Sequence, residues 1–230
     1  MGTRLRILMI LLGALLVAAT YTFPIWWPQV RPQQGDLGFP GLADDLQVAF
    51  LELPALQRGL YLQLNATNNE RALAVLTAAL SPVTPLPPEE QQPPQIDSSV
   101  VTVASGDFAA LDTAELVEDG FIEAADVSPW LPLFSADGSF TIYEYPDERK
   151  LLWLEGFGVT NGPNLRIGLA TVQYPASYDQ IEQNVLDLGP LRGAIGNQQY
   201  AIPIEEDLGL YRAVVVYDPI HRLIYGVALF

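Results

Sequence analysis

The ten residues Thr160–Leu169, TNGPNLRIGL, set four turn-forming residues directly ahead of a two-residue alternation. Asn161-Gly162 offers backbone that reaches positive φ without steric cost. Pro163 fixes its own φ and pushes Gly162 toward extended geometry, and Asn164 closes a side-chain turn. Leu165, Ile167 and Leu169 then alternate with Arg166 and Gly168, the period of a strand with one buried face. The stretch reads as a device for entering a β-strand, and it sets the fold class for its surroundings.

Runs of the same kind lie on both sides: VVTVA (100–104), SFTIYEY (139–145), KLLWLEGF (150–157), LRIGLATV (165–172), YRAVVVY (211–217) and RLIYGVALF (222–230). They are short, rich in β-branched and aromatic residues, and separated by Gly, Pro, Asn and Asp. This predicts a mainly β fold, an antiparallel β-sandwich or barrel over residues 99–230, rather than alternating βαβ units. Pro146–Arg149 reads as a hairpin connection, and Asp218-Pro219 opens another. Val227, Leu229 and Phe230 are expected in the core, and the acidic stretch 112–126 is expected as a short helix or a long loop over one end of the sheets.

Upstream the period changes. Leu56, Leu60 and Leu64, then Leu73, Leu76 and Leu80, recur at helical spacing, with Thr67-x-x-Glu70 read as a capping box, so residues 43–80 are expected as short helices. Residues 81–98 hold six prolines and no apolar period, the composition of an extended linker. Residues 31–42, rich in Pro and Gly, form a further linker. Ahead of them, Ile7–Val30 carries no formal charge, and the apolar run from Ile7 to Trp27 is long enough as a helix to cross about 30 Å of hydrocarbon. Arg4 and Arg6 in front, with Tyr21, Trp26 and Trp27 at the far end, orient residues 1–30 as a signal-anchor. The domain that follows is then expected outside the cytoplasm on a single-pass anchor. Cleavage after the small residues Val17-Ala18-Ala19, giving a secreted protein, is the alternative.

The net charge of the 230 residues is −16, and its distribution is uneven. Every Asp and Glu lies at or after Asp36, and between Arg71 and Arg149 there is no Lys or Arg. Such a surface repels phosphate, which excludes nucleic acid as a partner. The chain has no cysteine, which removes disulfides, thiolate nucleophiles, iron–sulfur clusters and Cys-ligated zinc. One histidine, His221, falls in the predicted final turn; with no GxSxG elbow it reads as a surface turn residue.

A second turn-rich block, DLGPLRGAIGNQQYAIP (187–203), has glycines at 189, 193 and 196. No Lys-Ser/Thr follows them and no strand-loop-helix context surrounds them, so they read as turn formers rather than a phosphate cradle. Taken in order, Gly106-Asp107-Phe108, Leu152–Phe157, Asn161-Gly162-Pro163 with Leu165, Leu188-Gly189-x-Leu191-Arg192-Gly193-x-x-Gly196-Asn197-Gln198-x-Tyr200 with Pro203, and the strand pair 214–228 resemble the DM-thirteen domain family of cell-surface and exported proteins. The resemblance covers about the last 130 residues. It implies a predicted electron-transfer domain, with Asn161, Gly162, Pro163, Leu165, Gly189, Arg192, Gly193, Gly196, Asn197, Tyr200, Pro203, Tyr217 and Asp218 as motif residues of structural or binding role. Where family members carry Cys after an aromatic residue, this chain carries Asp218 after Tyr217. A carboxylate exchanges no disulfides and is a weaker axial haem ligand than thiolate, His or Met.

The resulting expectation is a membrane-tethered extracytoplasmic β-domain serving as a binding or accessory module for an unidentified protein or glycan ligand. No catalytic residue, metal site or cofactor is assigned. A redox module, with haem as its cofactor, and a carboxylate-dependent hydrolase are the alternatives.

Overall fold

The structure is a computed structural model that describes residues 38–83 and 85–230. The expected signal-anchor, residues 1–30, and most of the linker behind it lie outside the described residues. Among the described residues no helix is long and apolar enough to cross a membrane. The elements below belong to the compact unit Leu42–Phe230.

Three helices come first: α1 (Asp44–Glu52), α2 (Ala55–Thr67) and α3 (Asn69–Leu80). Extended backbone at Leu53 and Pro54 ends α1 and starts α2. The inward stripe is Phe50 on α1, Tyr61 and Leu64 on α2, and Ala72, Val75 and Leu76 on α3. The expected Thr67 capping box is shifted by one residue. Thr67 is the last residue of α2, its hydroxyl bonded to the Gln63 carbonyl at 3.1 Å, while Asn68 caps α3 by accepting the Arg71 N–H at 3.0 Å. Asn is the stronger cap, and a residue still inside one helix cannot supply the extended backbone that starts the next.

The β part is as expected in class: two four-stranded antiparallel sheets. The first has the order β1 (Val101–Asp107), β2 (Ala136–Glu144), β3 (Lys150–Val159), β6 (Gln198–Ile202). The second has the order β5 (Val185–Pro190), β4 (Arg166–Ala170), β7 (Ala213–Asp218), β8 (Leu223–Leu229). They meet where Phe108, just past β1, bridges Ala228 of β8, and Gly158 of β3 bridges Ile195 in the β5–β6 loop. At the first seam a Cβ on Gly226 would lie 2.3 Å from Ala136 Cβ, so only glycine allows the approach.

Strand β7 is buried along its whole length. On one face Ala213, Val215 and Tyr217 join Ala170, Ile224, Val227 and Ile181, covered by Leu111, Leu131 and Tyr178. Each fully buried aliphatic side chain here contributes roughly 1.5–3 kcal/mol. The covering residues come from the long β1–β2 connection, which holds α4 (Thr113–Glu118), and from α5 (Tyr178–Ile181). The acidic stretch is thus a short helix followed by a loop. Val227 is buried as expected, but Phe230 is 38% exposed and only leans on Phe140, with ring centroids 5.4 Å apart.

Strands β5 and β6 occupy much of the block 187–203 that its composition presents as turns. Glycine and proline at 189 and 190, and a polar residue at the inward position 198, conceal them. The proline-rich run is not a free spacer between residues 86 and 91. Leu86 is buried and its N–H bonds the Ile195 carbonyl at 3.2 Å, and Gln91 Oε1 accepts the Asn197 N–H at 3.2 Å.

Candidate functional site

The strand-entry motif, the Gly-rich loop and the β7–β8 turn come together. Asn161, Gly162, Pro163, Asn164, Leu165 and Arg166 line a cleft of about 530 Å³ with Leu191, Gly193, Ala194, Pro219 and Ile220, and with Pro82 and Val83 behind α3. Five expected motif residues, Asn161, Gly162, Pro163, Leu165 and Gly193, therefore share one concavity.

Gly162 is needed for space, not for φ. It lies outside the left-handed region, and a Cβ there would be 2.7 Å from Leu165 Cδ2 and 2.8 Å from Tyr225 Cζ. This corrects the expectation that Asn161-Gly162 supplies a positive φ: Pro163 keeps Gly162 extended, and Leu165 and the Tyr225 ring leave no room for a side chain. Leu165 is buried, and its carbonyl accepts the Leu191 N–H at 2.8 Å, which joins the motif to the Gly-rich loop.

That loop is held from within. Gln198, fully buried, accepts the N–H groups of Arg192 at 3.1 Å and Gly193 at 3.3 Å, and the Tyr200 hydroxyl at 2.7 Å. The Tyr200 oxygen in turn accepts the Arg192 N–H at 3.0 Å, and burial pushes this phenol up to about 12. Gly196, at φ 117°, bonds its N–H to the Phe157 carbonyl at 2.9 Å, and Asn197 Oδ1 accepts the Gly156 N–H at 2.8 Å. These N–H groups are consumed internally, in keeping with a structural loop rather than a phosphate cradle. Gly189, at φ 121°, marks an irregularity where β5 pairs with β4. Arg192 is ion-paired with Glu90 and, with Pro203, lines a separate, larger cleft of about 1250 Å³ beside Gln95 and Tyr145.

Tyr217 and Asp218 part company because neighbouring strand residues point to opposite faces. The Tyr217 hydroxyl donates to Asp187 Oδ1 at 3.0 Å, on the same face as Arg166, which grips Asp187 through both carboxylate oxygens. Burial works to raise the Asp187 carboxyl. The bonds from Arg166, Tyr217 and the Gly189 N–H outweigh it and hold the group below the usual carboxylate range. Asp218 lies beneath the turn that carries Pro219 and Ile220, with no side-chain exposure. Its Oδ1 accepts the N–H groups of Ile220 and His221, both at 2.9 Å, and its Oδ2 meets His221 Nδ1 at 2.8 Å. His221 is thus in the expected turn but tucked inward, its side chain 14% exposed.

Behind the cleft, Tyr225 stacks on Phe134 at 4.0 Å, and its buried hydroxyl has no hydrogen-bond partner among the described residues. Burial pushes this phenol up, and so does the nearby Asp218 charge. Burial pulls the Arg71 guanidinium of α3 below its ordinary value, against the pull of Asp218. Sequence reasoning passed over Gln198, Gln91, Arg71 and Tyr225 as site residues. Gln198 carried a signal, a polar side chain at the inward phase of QQYAI; Arg71 and Tyr225 carried none.

No family model, curated protein or solved structure matches the chain. The site therefore stands on its own chemistry. Among the described residues the cleft lining contains no carboxylate, although the chain carries a net charge of −16, and its one cation there, Arg166, is already paired. What remains is a neutral, half-apolar surface with two exchangeable amides, Asn161 and Asn164, and it holds no nucleophile–base pair.

Proposed function

We propose that this chain is an extracytoplasmic β-domain, a sandwich of two sheets tethered by residues 1–30, that acts as a binding or accessory module. The observation that carries the reading is the convergence of the motif residues Asn161, Gly162, Pro163, Leu165 and Gly193 on one neutral cleft. The internally bonded loop around Gln198 supports it, because a pre-formed concavity lowers the ordering cost of binding. The cleft suits an uncharged stretch of protein or glycan that offers apolar contact to Pro163, Leu165 and Ile220 and hydrogen bonds to the amides. Resemblance to the DM-thirteen family fits the extracytoplasmic placement. The electron-transfer role which that family implies finds no support at Asp218, whose carboxylate is sealed and committed to its own turn.

The test uses two exposed cleft positions. Affinity capture with the full-length protein from its native membrane should recover a partner that the double variant Asn164→Asp, Ile220→Asp loses, with the melting temperature unchanged. Equal recovery by both proteins would refute the cleft as the binding surface. Extraction at alkaline pH should leave the protein in the membrane pellet; release into the supernatant would refute the tether.

A further inference from the structure

A second cleft of about 480 Å³ opens between α3, the 125–130 segment, α5 and the β7–β8 turn. It differs from the first in carrying both signs of charge beside aromatic rings: Arg71 and Arg222, Asp126 and Asp179, Trp130 and Tyr178. Most of these charges are not free. Arg222 is ion-paired with Asp179 and Glu182, and its guanidinium sits 4.9 Å from the centre of the Tyr178 ring. Two charges are left over. Arg71 makes no ion pair among the described residues, although Asp218 and Asp179 attract it from a distance; it reaches the Arg222 carbonyl at 3.3 Å, and its Nε is buried with no hydrogen-bond partner among them. Asp126 is exposed and makes no ion pair among the described residues.

Five other described cations are committed. Arg149, Arg166 and Arg192 are paired with carboxylates, while Lys150 and Arg212 donate to backbone carbonyls. Arg58 also has a buried, unpaired Nε, but it is not among the residues lining this cleft. An unpaired, partly buried guanidinium is costly to keep, and in a chain with far more Asp and Glu than Lys and Arg an internal carboxylate could readily have met it. A guanidinium fork is built for a carboxylate.

A bare anion is disfavoured by Asp126, Asp179 and the net charge, and a bare cation by the two arginines. We propose that this cleft binds a small zwitterion of the α-amino-acid type with an apolar side chain, its carboxylate on Arg71, its ammonium toward Asp126 and its side chain against Trp130 and Tyr178. The volume lies within the range of small-molecule sites, about 300–1,000 Å³.

Calorimetric titration of the full-length protein with L-phenylalanine, phenylacetate and phenethylamine tests the site with one ring and three charge states. L-Phenylalanine should bind saturably, and each singly charged analogue at least about tenfold more weakly. Arg71→Gln should weaken L-phenylalanine at least about tenfold and abolish phenylacetate binding. Asp126→Asn, at an exposed position whose side chain makes no hydrogen bond or ion pair among the described residues, should weaken L-phenylalanine and phenethylamine but not phenylacetate. If Arg71→Gln fails to fold, Asp126→Asn alone decides. No heat from any probe up to about 10 mM, an analogue that matches L-phenylalanine, or an Asp126→Asn protein that binds as the parent does would each overturn the proposal.

Discussion

A methyl group added at Gly162 would fall 2.7 Å from Leu165 Cδ2 and 2.8 Å from Tyr225 Cζ, closer than a Cβ tolerates. Gly162→Ala should therefore destabilise the protein by about 1–3 kcal/mol, seen as a lower urea midpoint at unchanged slope. Gln198→Leu should cost about 1–3 kcal/mol for each group it strands, the Gly193 N–H and the Tyr200 hydroxyl being the first. Asp187 carries a pH dependence. Its folded carboxyl is held below the unfolded value, so its contribution is complete above the ordinary Asp range near about pH 4 and fades as pH falls through the folded value. Acid titration followed by circular dichroism should show Asp187→Asn losing this acid sensitivity, the gap from the parent closing at low pH; a gap that widens toward acid would contradict the sign. At this scale the sequence was partly legible. The motif glycine at 162 was found for the wrong reason, because a residue's neighbours in space, here Tyr225 from 63 positions away in the chain, leave no local trace.

Among the elements, the α2–α3 junction gives the sharpest test. Asn68 accepts the Arg71 N–H while Thr67 is spent inside α2, so Asn68→Ala should cost about 1 kcal/mol and Thr67→Ala much less. Thermal melts of the two variants separate the cases; equal losses would return the cap to Thr67. The six runs with strong β character all contain strands, and the Pro146–Arg149 hairpin closes as expected, with the Tyr145 N–H on the Arg149 carbonyl at 2.9 Å. Strands β5 and β6 escaped because their pairing comes from distant partners. β6 is strand-like only once Lys150–Leu154 lies beside it, and β5 only against Arg166–Ala170. Local propensity cannot report that.

For the whole molecule, the helices and both sheets form one compact unit from Leu42 onward. The Arg71 side chain reaches the Arg222 carbonyl, and Leu86 is packed under the Gly-rich loop. A chain that starts at Asp97 should keep the circular-dichroism signature of β structure but melt well below one that starts at Leu42; equal melting temperatures would show the helices to be passengers. The mainly β class was legible from alternation and turn chemistry over residues 99–230, whereas the seating of residues 86–91 was not, since proline-rich composition specifies extension and says nothing of what lies alongside.

The order in which the strands appear along the chain has a kinetic consequence. β3 waits for β6, some fifty residues later, and β4, with β5 already beside it, waits for β7 before its sheet's central pair exists. During synthesis a meander of β1, β2 and β3 can form early, yet the first layer lacks a strand until β6 has been made and the second until β8 has. The polypeptide consequently closes in stages, its second layer last.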